Sequence, residues 1–114
     1  MTLSMERTWT AVCAVTAIPI GGGVAALLGE DVQVAIFRPS EDDLFGLSNI
    51  DPFSGAAVLA RGIVGDSEGA PVVASPIYKQ RFDLRTGVCL DDAGVRVLVY
   101  AVRVTAGVVH VELP

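Results

Sequence analysis

What most restricts the fold of this 114-residue chain is a periodicity: apolar residues recur at every second position in short runs, and no segment sustains a helical stripe. Residues 9–15 (WTAVCAV) and 24–28 (VAALL) flank Pro19 and the glycines at 21, 22 and 23, and residues 32–38 (VQVAIFR) follow Gly29, Glu30 and Asp31. This predicts a three-strand start with the glycine run as a hairpin connection. In residues 95–104 (VRVLVYAVRV), Val97 and Val99 lie on one parity and Val102 and Val104 on the other. The switch predicts a β-bulge near Tyr100. Val109, Val111 and Leu113 alternate with His110 and Glu112 after a turn at Ala106 and Gly107, which predicts a terminal hairpin with His110 facing solvent. Only residues 55–61 (GAAVLAR) suit a short helix or turn. The expected fold is therefore all-β, a sandwich or barrel of short antiparallel strands, in one domain spanning residues 1–114 with no linker or internal repeat.

Hydrophobic residues make up 52% of the chain, enough to close a core without staples. Cys13 and Cys89 are far apart with no C-x-x-C spacing, so both are expected to be small buried hydrophobes in a reducing cytosol. A net charge of -5 with eight scattered Lys and Arg leaves no basic stripe, which argues against a nucleic-acid partner. Residues 8–29 carry no charge and are numerous enough to cross a bilayer. Pro19 and the glycine run interrupt any helix there, and Glu6 cancels Arg7 where a signal peptide needs positive charge. The expectation is a chain that is neither inserted in a membrane nor secreted.

Signatures of catalysis are missing. Gly21, Gly23 and Ala26 fit G-x-G-x-x-A, with Glu41 near the distance of a ribose-binding acid, but the turn at Gly29 arrives before the helix that motif needs. Asp51, Asp66, Asp83, Asp91 and Asp92 form no paired pattern, and His110 has no nucleophile signature to serve.

Two segments are more specific. Residues 49–56 read NIDPFSGA and residues 75–87 read SPIYKQRFDLRTG. They resemble the cluster loops of Rieske iron–sulfur domains, N-x-C-P-H-x-G-A and C-P-x-H-G-x-x-F-D-L-x-T-G. The resemblance puts Asp51, Phe53, Ser75 and Tyr78 at the four ligand positions, where a Rieske centre needs two thiolates and two imidazoles. None of the four is present, and Cys13, Cys89 and His110 supply only three ligands elsewhere. The resemblance thus implies a Rieske-like sandwich or barrel with two inserted loops and no metal or cofactor of its own. Phe53 and Tyr78 are expected to fill the space of the cluster with apolar contacts. Gly55 and Gly87 are expected to keep the turns tight, and Pro52 and Pro76 to stiffen the loops.

More narrowly, DPFSGA, ARGIVGD, SP-x-YKQ-x-FDL and TGVCLDD are similar in order and spacing to the small subunit of bacterial assimilatory NAD(P)H nitrite reductase. That family is a Rieske fold without a cluster. It implies a cytoplasmic large subunit that carries FAD, a [4Fe–4S] cluster and sirohaem and reduces nitrite to ammonium. The small subunit is then a non-catalytic docking partner, with Phe53, Ser54, Tyr78, Lys79 and Gln80 as the candidate docking residues. An alternative is a free-standing, cluster-less Rieske-like binding module serving another oxidoreductase, such as a ring-hydroxylating oxygenase.

Overall fold

The computed structural model describes residues 8–113. Strands β2 (Gly22–Leu28), β3 (Val32–Ser40), β4 (Asp43–Ser48) and β8 (Val99–Tyr100) form one antiparallel sheet in the order β2-β3-β4-β8. A second sheet runs β1-β10-β9, from β1 (Thr8–Ala14), β10 (Val108–Leu113) and β9 (Val102–Thr105). The third runs β5-β6-β7, from β5 (Ile63–Ser67), β6 (Ala70–Ala74) and β7 (Arg81–Asp83). The all-β, antiparallel expectation holds in all three sheets.

Strand β3 explains how the layers stack. Val34, Ala35, Ile36 and Phe37 are all fully buried, so both faces of this strand are covered. Side chains alternate along a strand. Val34 and Ile36 accordingly pack with Ile18, Ala26, Leu28, Val109 and Val111. Ala35 and Phe37 face the other way, onto Leu47, Leu59, Val73, Phe82 and Leu84. The four-stranded sheet is thus the middle layer, with the β1-β10-β9 sheet on one side and the β5-β6-β7 sheet on the other.

Four local expectations need correction, at the glycine run, Tyr100, Cys13 and His110. The glycine run is not a hairpin connection: β1 pairs with β10 and β2 with β3, so the segment between them crosses from one sheet to another through a 3₁₀ turn at Val15–Ala17. The Arg38 guanidinium holds this corner, donating to the carbonyls of Ile18 (3.1 Å) and Glu41 (3.1 Å). The parity switch near Tyr100 is not a bulge either. Tyr100 pairs with Gly46 in the middle sheet while Val102 pairs with Val111 in the outer one, so the chain changes sheets at Ala101; Tyr100 and Val102 both pack on the core between these two sheets, and Val97, on the other parity, lies in the other core. Residues 55–61 do hold a short turn as expected, a 3₁₀ turn at Leu59–Arg61 that buries Leu59. Cys89 is buried as expected, but Cys13 is half-buried, and desolvation pushes its thiol pKa up from the ordinary value. His110 is half-buried as well, its ring Nδ1 lying 3.0 Å from the Val108 carbonyl, so it does not simply face solvent.

Strand β4 ends at Ser48 and β6 ends at Ala74, and the two segments singled out by sequence leave the sheets there. Phe37, in register with Gly23 and Phe45, is fully buried in the core between the middle sheet and the β5-β6-β7 sheet. Phe37→Ala is expected to cost about 4 kcal/mol of folding stability, read from the denaturant midpoint.

Candidate functional site: repeated loops and a buried contact

The two segments contain one turn built three times. In the first, the Asp51 N–H donates to Ala56 O (2.8 Å) and the Gly55 N–H donates to Asp51 O (2.7 Å). In the second, the same bonds run from Ser75 N–H to Gln80 O (2.8 Å) and from Lys79 N–H to Ser75 O (3.1 Å). In the third they run from Asp83 N–H to Val88 O (2.9 Å) and from Gly87 N–H to Asp83 O (2.8 Å). Each turn opens with a short polar side chain that accepts from the N–H two residues on, a job for which Asp and Ser are suited. Phe53 donates to Asp51 Oδ1 at 2.8 Å, Ile77 to Ser75 Oγ at 3.3 Å, and Arg85 to Asp83 Oδ1 at 2.7 Å.

The fifth residue must be left-handed for its N–H to bond back four positions. Gly55 has φ 77°, Gly87 has φ 77° and Lys79 has φ 67°. Glycine adopts this conformation without steric cost, whereas for Lys79 it costs about 1 kcal/mol. The expectation of no internal repeat therefore fails at the scale of a single turn. Its sequence signal was D-x-x-S/T-G, present as DPFSG and DLRTG. The hydroxyls of Ser54 and Thr86 add the same bond in both, accepting from the N–H of Ala56 and of Val88 at 3.2 Å.

Between the first two turns lies the most enclosed polar contact. Asp51 and Ser75 are both fully buried, and the Ser75 hydroxyl donates to Asp51 Oδ2 at 2.5 Å. With Phe53 N–H on Oδ1, each carboxyl oxygen of Asp51 has its own donor. A buried polar group that is fully bonded avoids the cost of desolvation without compensation. Asn49, also buried, ties the base of this loop. Its side-chain oxygen accepts from Ala60 N–H (2.8 Å) and its carbonyl from Leu59 N–H (3.1 Å).

The two aromatic positions behave differently. Phe53 packs against Phe82 with ring centroids 6.2 Å apart, as expected of a ring filling space. Tyr78 instead is 60% exposed, which corrects the expectation that it fills the same void. Between the loops Asp51 and Ser75 contact each other directly, and the phenol stays in water. Ile77 (41% exposed) stands beside it. Ser54 and Lys79 are also exposed, while Gln80 is half-buried with its Oε1 lacking a hydrogen-bond partner.

Ion pairs fix the third turn. The Arg85 guanidinium, hydrogen-bonded to Asp83, holds that carboxyl below its usual value against the opposing effect of burial. Arg81 does the same for Asp91, bonding it through side chain and backbone. A carboxyl with a depressed folded value contributes stability above the unfolded value of about 3.9 and loses it as pH falls through the folded value.

A [2Fe–2S] centre of Rieske type requires thiolate and imidazole donors on these loops. Asp51 and Ser75 are bonded to each other, Phe53 has no donor atom and Tyr78 points to solvent, so the residues present do not fit such a group. Among the described residues no three His, Cys, Asp or Glu side chains converge as a metal cage. Three sheets carrying two such loops at one end define a Rieske-like domain, and residues 8–112 match the family of Rieske-like [2Fe-2S] domains. Within that class the chain is 47% identical over 105 residues to the nitrite reductase (NADH) small subunit of Salmonella typhimurium, covering 91% of this chain and 96% of that one. It superimposes with a TM-score of 0.91 on the crystal structure of a proposed NADH-dependent nitrite reductase small subunit from Mycobacterium tuberculosis, at 47% identity over 96% of this chain and 97% of that one. It is also 45% identical over 106 residues, 93% of this chain, to 11% of a nitrite reductase [NAD(P)H] large subunit of Klebsiella oxytoca. The chain belongs to the nitrite reductase small-subunit family of Rieske-like domains.

These turns make separable predictions. A Cβ on Gly87 would lie 2.3 Å from the Val97 carbonyl oxygen, whereas one on Gly55 meets nothing within 4 Å. Gly87→Ala is expected to cost more than about 3 kcal/mol and Gly55→Ala only about 1, compared by thermal or denaturant unfolding. Ser75→Ala removes the donor on buried Asp51 Oδ2 and should cost about 2 kcal/mol. The stability difference between wild type and Asp83→Asn should be present at pH 7 and shrink as pH falls below about 4, following the sign given above.

Proposed function

We propose that this chain is the non-catalytic small subunit of an assimilatory NAD(P)H-dependent nitrite reductase. It acts in the cytoplasm as a single domain docked on the large subunit that carries FAD, a [4Fe–4S] cluster and sirohaem and converts nitrite to ammonium. The observation that carries this reading is the closure of the loops on themselves. The inner polar atoms of Asp51 and Ser75 satisfy one another, which leaves no donor set aimed at a cofactor or substrate. What the tip offers outward is side chains suited to protein contact, Tyr78, Ile77 and Lys79.

The relatives support the same division of labour. Two are named as small subunits of nitrite reductase, and the Klebsiella oxytoca chain holds a homologous stretch within a polypeptide named as the large subunit. Joining two proteins in one chain fixes them at high effective concentration, which is useful when they work as a complex. Phe53, Ser54, Tyr78, Lys79 and Gln80 are the proposed docking residues. Phe53 supports the surface from beneath, since its ring belongs to the core.

Nitrite reduction with NADH or NADPH is expected only when the large subunit is present, and turnover by this chain alone would refute the assignment. The docking face has its own test. Tyr78→Ala should change stability by no more than about 0.5 kcal/mol, because the ring is mostly in solvent, yet weaken binding to the large subunit by about tenfold. Unchanged binding of Tyr78→Ala and of Ile77→Asp would place the interface elsewhere.

A further inference from the structure

Three described residues other than glycine have positive φ: Glu68 at 51°, Lys79 at 67° and Ala106 at 52°. Two are accounted for by turn geometry. Glu68 and Ala106 each precede a glycine, Gly69 or Gly107, in the two-residue connections of β5 with β6 and of β9 with β10. Such tight hairpins need positive φ at both positions. At Lys79 the turn likewise requires positive φ, but the same turn occurs twice more in this chain and uses glycine at the corresponding place, Gly55 and Gly87. The loop thus forgoes the stability that glycine would give, and what it has in exchange is an ammonium group.

Among the described residues that ammonium has no ion-pair partner. Lys79 is exposed. It follows the exposed Tyr78 and Ile77 in sequence and precedes the polar Gln80. The chain as a whole is negatively charged, at -5, so an acidic partner is not attracted by net charge. A local cation must do it. Strained backbone persists where surrounding structure over-determines it, and such positions gather at sites of recognition. Here the two hydrogen bonds that close the Ser75 turn impose the conformation.

We infer that Lys79 is a preset cation for a single carboxylate on the docking surface of the large subunit, one that lies within apolar surroundings complementary to Tyr78 and Ile77. This rests on the docking face proposed above. Docking would remove water from the pair and strengthen it, so the strain kept in the free subunit is offset only in the complex.

The test is a pair of opposite signs in one variant. In the full chain, Lys79→Gly relieves the strained position and should raise the melting temperature by about 4 °C. With the purified large subunit it should bind about tenfold more weakly at physiological salt, and the remaining affinity should depend less on salt than that of the wild type. Lys79→Arg keeps the charge and should retain most of the affinity. If Lys79→Gly binds as tightly as the wild type while Tyr78→Ala binds weakly, the tip docks but the carboxylate inference is overturned. If neither variant binds more weakly, the docking face itself is wrong and the inference falls with it.

Discussion

The burial of β3 on both faces is the constraint from which the architecture follows. Four consecutive residues, Val34 to Phe37, have no exposed surface, and alternating side chains send two of them into each of two separate cores. Antiparallel sheets commonly keep one face wet. This one cannot, so the β1-β10-β9 sheet must cover one side and the β5-β6-β7 sheet the other. The long-range pairing of β1 with β10 serves the first requirement, bringing the two ends of the described chain together in the sheet whose Val109 and Val111 pack on Val34 and Ile36. The loops are a consequence of the second: the β5-β6-β7 sheet packs its Val73 and Phe82 on Phe37, and its strands deliver the Ser75 turn beside the Asp51 turn.

Strand content was legible in the sequence because period-two alternation is a local signal, and the segments at residues 9–15, 24–28 and 32–38 lie within a residue or two of β1, β2 and β3. Pairing was not, because nothing in WTAVCAV says that its partner is the last strand rather than the next one. The parity switch at Tyr100 shows the same limit in a single residue. A bulge and an unbroken alternation whose two faces meet different cores leave the same pattern of apolar residues, and only the tertiary partners, Gly46 on one side and Val111 on the other, separate them. The run VAIF was itself the mark of a strand buried on both faces, since a half-exposed strand would have interposed polar residues.

In the loops the sequence located the four positions that matter but not what they do. Residue type foretold that Phe53 would pack, because an apolar ring has no better option. It misjudged Tyr78, whose hydroxyl lets it remain in water. The contact of Asp51 with Ser75 could not be read from a chain in which the two are 24 residues apart. The three-fold turn was readable, however, from D-x-x-S/T-G in DPFSG and DLRTG, with SPIYK as the version that keeps the opening hydroxyl and loses the glycine.

A metal cluster held between two loops does two jobs at once, since it carries electrons and it cross-links the loops. Here the second job is done by other means. One hydrogen bond between buried side chains, backed by the Phe53 and Phe82 contact and by backbone bonds that close each turn, joins the loops, while the buried Oε1 of Gln80 is left without a partner. Such a tip gains rigidity from interactions made within the free subunit. Its outward chemistry is then free to change without unfolding the turns, which is the condition a docking surface needs and one that a cluster-bearing tip, with four side chains committed to iron, meets less easily. Tyr78 and Lys79 occupy that freedom, one exposed despite its aromatic ring and the other held in a conformation that glycine adopts more readily.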